Sequence, residues 1–134
     1  MDEAIFLTLE EVLQIHLDEI DRHGGDPGVL NLGLLESAIA QPYAKFGGQY
    51  LHEGLAAMAA AYAFHVASNH AFADGNKRTA LAAALVFLGM NDHPVTPTAD
   101  AAESLILGIA KGETTKEQAA TSFGNLLLAA YGAE

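Results

Sequence analysis

The chain has 134 residues, no cysteine, and 17 acidic against 6 basic side chains, a formal net charge of -11. That length predicts one domain over residues 1–134 with a core that needs no covalent staples. Missing cysteine excludes disulfides, thiolate metal sites and a cysteine nucleophile, and the acid excess argues against binding to nucleic acid or to an anionic membrane surface.

The first residues, MDEAIFLTLEE, carry acid where a signal peptide would carry base. The longest apolar stretch, Leu55 to Ala67 with His65 inside it, falls short of the roughly 20 residues that a membrane span requires. A soluble, cytoplasmic protein is expected.

Thr8-Leu9-Glu10-Glu11 reads as a capping box that opens a first helix. Val12, Ile15, His16 and Ile20 then define one apolar face, and Gly24-Gly25-Asp26-Pro27-Gly28 ends the helix in a turn. His16 on that face is expected to be a hydrogen-bonded core residue. The clusters Glu10-Glu11 and Asp18-Glu19-Asp21 read as a solvated face. A shorter second helix is predicted from Asn31 to just before Gln41-Pro42, since a residue preceding proline disfavours the α region.

Tyr43 to His52 mixes aromatics with a double glycine and shows no helical period, so an extended or hairpin-like loop is predicted. Alanine-rich sequence from Glu53 to about Ser68 predicts a helix buried on most sides. His65 falls within it and is assigned a structural role. The next helix is predicted from Gly75-Asn76 to about Leu88, ending at Gly89. Pro94 and Pro97 mark a loop, and Thr98 caps a helix reaching about Lys111. Thr115-x-x-Gln118 is a second capping box, opening a last helix to about Tyr131. The fold class predicted is all-α, about six helices around a central pair.

Chemistry concentrates in His70-Ala71-Phe72-Ala73-Asp74-Gly75-Asn76-Lys77-Arg78, which joins the two central helices. The first N–H groups of the second helix lack intrahelical partners and, with the helix dipole, form an anion site. Gly75 permits close backbone approach, and Asn76 adds an amide. Lys77 and Arg78 occupy the first helical turn, where cations are unfavourable unless a polyanion such as phosphate neutralises them. Asp74 beside such a cradle suits Mg²⁺, which binds one or two carboxylates plus substrate phosphates. Imidazole suits a general base, which makes His70 the candidate. Phe72 is expected to anchor the loop. Base, carboxylate and phosphate cradle together suggest phosphoryl or nucleotidyl transfer.

HAFADGNKR resembles the signature of the Fic/Doc superfamily, H-x-F-x-[DE]-G-N-x-R, and lysine at the variable position resembles its death-on-curing (Doc) branch. LEEVLQIH, the Gly-Gly turn, LLESAIAQP, GGQY and NKRTALAAALVFL are similar to Doc segments in order, over roughly residues 6 to 128. The resemblance implies a helical bundle with the motif loop between its central helices. It implies catalytic roles for His70, Asp74, Asn76, Lys77 and Arg78, with Asp74 on Mg²⁺. Phe72, Gly75, Asn76, Lys77 and Arg78 would form the nucleotide-binding set, for ATP as co-substrate.

The Tyr43–His52 stretch would be a flap that aligns a target by strand addition. The implied activity is that of a type II toxin, transferring γ-phosphate to a hydroxyl of elongation factor Tu and so blocking translation. Transfer of AMP to a protein hydroxyl and a catalytically idle helical binding module are the alternatives. Self-inhibited Fic enzymes carry [ST]-x-x-x-E-[GN]; here the single Glu-Gly pair, Glu53-Gly54, has Gln49 four residues before the glutamate. No internal inhibitor fits that pattern, and the Doc resemblance implies inhibition in trans by a helical segment of a cognate antitoxin.

Overall fold

The computed structural model describes residues 3–132. Six α-helices dominate: α1 (Leu9–His23), α2 (Leu32–Ala40), α3 (Leu55–Asn69), α4 (Asn76–Met90), α5 (Ala99–Ala110) and α6 (Lys116–Tyr131). A two-stranded hairpin, β1 (Lys45–Phe46) and β2 (Gln49–Tyr50), lies between α2 and α3. The all-α expectation holds, and no described helix is long and apolar enough to cross a membrane.

Both capping boxes form as their sequences predict. Glu11 N–H donates to the Thr8 hydroxyl at 3.2 Å, and Thr8 N–H donates to the Glu11 carboxylate at 2.8 Å. Thr115 and Gln118 repeat this arrangement at the start of α6. Asn31 and Thr98 cap α2 and α5. Each of these caps satisfies N–H groups that the helix itself leaves without partners.

Differences from the sequence reading are local and have physical causes. Gln41 keeps right-handed helical geometry although Pro42 follows it. The α-helix gives way there to a 3-10 turn, Gln41–Tyr43, whose first positions need no N–H from proline. Helix α3 begins at Leu55 rather than Glu53, because Gly54 takes φ 88° as its N-cap. Gly89 lies inside α4, which runs on to Met90; the helix stops where Asn91 bonds back to the Phe87 carbonyl at 2.8 Å. The same amide grips both polar groups of the Ile5 backbone, tying down the N-terminal segment.

Helix α3 is the hub, packing most extensively on α4 and α6. Ala59, Ala60, Ala61, Ala63 and Ala67 on α3, with Ala80, Ala83 and Ala84 on α4, are buried, so two backbones approach closely through small side chains. Aromatics fill the remaining volume: Tyr62 lies 5.1 Å from Phe87 between ring centroids, and Phe6 stacks on Phe87 at 5.6 Å. The buried Tyr62 hydroxyl accepts from Leu7 N–H at 2.9 Å, and burial pushes its pKa up to about 12.

On the α6 side of α3, His65 Nε2 accepts from the Lys116 ammonium at 3.2 Å. Burial first, then the Lys116 charge and neighbouring His52, lower the His65 pKa from 6.5 to about 4. The unfolded chain therefore binds more protons between those values, and stability falls as pH drops through that window. Urea unfolding at a series of pH values should show this loss, and His65→Gln should make the slope shallower. Identical slopes for the two proteins would contradict the assignment.

Candidate functional site

The reversal between α3 and α4 is built from the predicted motif. His70 ends α3 in the left-handed region, φ 50° and ψ 46°. A residue other than glycine held there costs roughly 1–3 kcal/mol and persists only where its surroundings enforce it. Gly75, at φ 82°, starts α4 with no side-chain cap. The N–H groups at the front of α4 thus remain open to an external acceptor.

Three contacts impose this shape. The Asn76 amide clasps the Phe72 backbone, accepting from its N–H at 3.1 Å and donating to its carbonyl at 2.9 Å. Residues 28–31 run antiparallel to the loop: Ala73 N–H donates to Gly28, and Leu30 and Asn31 N–H both donate to the Ala71 carbonyl. From α1, buried His16 places Nε2 2.8 Å from the Asp74 carbonyl and stacks its ring on Phe72, centroids 3.7 Å apart and 9° from parallel.

Each predicted residue has a defined place in this frame. His70 is exposed, and its ring makes no hydrogen bond among the described residues. Asp74 is exposed, with one carboxylate oxygen accepting from Asp26 N–H at 2.7 Å. Lys77 and Arg78 are exposed and form no ion pair among the described residues, whereas Arg22 and Lys45 pair with Glu19 and Glu3. Phe72 is 1% exposed, its ring turned to the core, where it anchors the loop. The Asn76 side chain acts on the loop itself, leaving anion contact to the backbone around it.

The loop thus presents a half-free carboxylate, two unpaired cations and an uncapped helix N-terminus within five residues, 74–78. Oppositely charged groups that avoid mutual pairing are suited to a ligand carrying phosphates, with a divalent cation beside them. No cluster of three metal-ligating side chains occurs among the described residues, and the carboxylate of the loop itself is Asp74. That donor set fits Mg²⁺ held jointly with phosphate oxygens.

Two open cavities lie elsewhere. One, of about 460 Å³, is lined by Pro97, Ser104, Ser122 and Asn125; another, of about 520 Å³, by Glu3, Met58 and Asp92. Neither has a basic side chain in its lining.

The sequence reading passed over the grip of residues 25–31 and the site contact of His16. Turn composition marked the first only as a helix end, and the second depends on two segments meeting across 58 residues of chain.

The chain belongs to the Fic/DOC family, whose model matches residues 6–88. It is 34% identical over 120 residues to the protein named "Protein kinase doc" of Escherichia phage P1, covering 90% of this chain and 94% of that one. It is 37% identical over 109 residues to "Toxin Doc" of Mycolicibacterium smegmatis, covering 80% and 84% respectively.

Gly25 supplies a direct test of the grip. A β-carbon there would stand 3.0 Å from Asp74 Cβ and 3.2 Å from Ile20 Cδ1, at φ 121°; one at Gly24, φ 82°, would meet nothing within 4 Å. Both alanine substitutions should cost roughly 1–3 kcal/mol for positive-φ backbone, with ψ 171° at Gly24. Gly25→Ala should cost more in urea unfolding and should speed hydrogen exchange at the Asp26 amide. Equal losses, with Asp26 protection unchanged, would show that the close approach does not hold Asp74.

Proposed function

We propose that this protein is the toxin of a toxin–antitoxin module and transfers the γ-phosphate of ATP to a hydroxyl of elongation factor Tu. The observation that carries this reading is the uncapped start of α4 beside exposed, unpaired Lys77 and Arg78. The names of the two relatives, a kinase and a toxin, support it.

His70 stands at the loop edge with its ring unengaged, and there it takes the proton of the target hydroxyl as that oxygen bonds to the γ-phosphorus and the bond to the bridging oxygen breaks, releasing ADP. The N–H groups at the front of α4 and the Lys77 and Arg78 side chains hold the phosphates and offset the charge that develops during transfer. Asp74 is the residue that would hold Mg²⁺, its second oxygen fixed by Asp26 N–H. When bound, that ion neutralises and orients phosphate oxygens. Lys77 adds bulk and charge where an open cradle would admit an α-phosphate, which favours γ transfer over transfer of AMP.

The hairpin supports a role in target alignment. Gly47 and Gly48 have φ 60° and 82°, as a type I′ turn requires, and Phe46 is 80% exposed. A two-stranded sheet has unpaired outer edges, which an extended target segment can join. The missing self-inhibitory pattern supports restraint in trans by a helical antitoxin segment.

Incubation with purified elongation factor Tu, Mg²⁺ and ATP labelled at the α or the γ phosphate tests the reading. Label should reach the factor from γ alone. Label from α would replace the kinase with an AMP transferase, and no label from either would favour the binding module. His70→Asn suits the left-handed position but supplies no base. It should lower transfer by about 100-fold or more with an unchanged melting temperature. Undiminished transfer would refute the role of His70.

A further inference from the structure

We propose that His16 is a positioning residue that sets the direction of the Asp74–Gly75 peptide and so keeps an N–H, rather than a carbonyl, facing the phosphate cradle. This rests on the reading of the loop as a phosphate site.

One buried imidazole touches the loop at three places. Nε2 meets the Asp74 carbonyl at 2.8 Å, and the ring face covers Phe72. The ring edge borders Gly75, where a β-carbon would stand 3.5 Å from Cδ2 and 3.6 Å from Nε2. Because the acceptor is a carbonyl, Nε2 is the protonated nitrogen and donates. His16 is 1% exposed, so no water replaces it at that carbonyl without repacking of α1 against the loop.

The consequence follows from peptide geometry. In a planar trans unit the carbonyl and the N–H point in opposite directions. Drawing the Asp74 carbonyl towards α1 turns the Gly75 N–H away from α1. That N–H has no backbone acceptor among the described residues. It therefore joins the open donors at the front of α4.

Rotation of the same peptide would reverse this arrangement and aim a carbonyl oxygen at the bound phosphate. Glycine, lacking a β-carbon, is the residue that permits such rotation at little steric cost. Gly75 is needed for the left-handed turn, so the loop requires an external restraint, and His16 provides it. The Asn76 clasp cannot substitute, because it holds the Phe72 peptide and not the Asp74–Gly75 one.

Two substitutions separate donation from packing. His16→Phe keeps an aromatic face on Phe72 and removes the donor; His16→Gln keeps an N–H donor and removes the ring. Each is made in the full chain, labelled for NMR. The orientation of the peptide is read from the Asp74 Hα to Gly75 amide NOE, and anion affinity from titration with pyrophosphate.

His16→Phe should alter that NOE and weaken pyrophosphate binding roughly tenfold, as loss of one buried hydrogen bond at the site would do. His16→Gln should restore both to near the unsubstituted values. An unchanged NOE with unchanged affinity in His16→Phe overturns the proposal. Equal loss in both variants also overturns it, since packing alone then accounts for His16.

If His16→Phe does not fold, the glutamine variant decides: a retained NOE supports the donor role and a changed one rejects it. Should the unsubstituted protein fail to bind pyrophosphate, the phosphotransferase reading falls. The NOE comparison in the free proteins then judges His16 by itself.

Discussion

Two helices that pack closely through alanine leave the chain little room to turn, and the turn between α3 and α4 must satisfy its backbone polar groups within residues 70–75. Everything at the site depends on how that is done. Partners for the inward-facing groups come from three directions: the Asn76 amide within the loop, the chain at residues 26–31, and His16 on α1. Inward demand is met by protein, so the remaining N–H groups and the charged side chains are left to face outward. A buried polar group without a partner costs about 1–3 kcal/mol, which is why such a loop is held in one shape.

Charge reinforces the same division. The chain carries 17 acidic side chains, and Arg22 and Lys45 are the two of its six cations that form ion pairs among the described residues. Lys77 and Arg78 are not paired among the described residues, although they sit at the end of a helix where positive charge is least welcome. An anion resolves both conditions at once. The acid excess elsewhere disfavours an extended polyanion such as nucleic acid but leaves a compact phosphate ligand compatible with the chain. Transfer of γ-phosphate and transfer of AMP would both use such a cradle and would differ in which phosphorus lies opposite His70.

Much of this was legible in the sequence because it is local. Capping boxes at Thr8 and Thr115 need only their own four residues, and alanine density marked α3 and α4 as a buried pair. The double glycine and missing helical period marked residues 43–52 as an extended or hairpin-like loop, and Gly47 and Gly48 take positive φ at its turn. Gly89 misled, since glycine is a good helix terminator; the end of α4 is set instead by Asn91, whose amide bonds to Ile5 across 86 residues of chain. Pro42 marked the end of α2 correctly, at Ala40, although Gln41 enters a 3-10 turn there rather than leaving the α region.

The motif residues were identifiable, but their division of labour was not. Phe72 was expected to anchor the loop and is buried beneath it, whereas the clasp of the Asn76 amide on the Phe72 backbone is shown by the fold alone. His16 looked like a core histidine, and it is buried and hydrogen-bonded as expected. What it bonds to is a tertiary fact, invisible to spacing along a helix.

Residues 74–78 should act as a ready-made phosphate cradle. Mapping amide shifts on titrating the free protein with Mg²⁺ and a non-hydrolysable ATP analogue examines it most directly. The largest changes should fall on Gly75, Asn76, Lys77 and Arg78, with smaller ones at Asp26 through Asp74. Changes centred instead on the cavity between α5 and α6, at Ser104, Ser122 and Asn125, with residues 74–78 unmoved, would contradict the account.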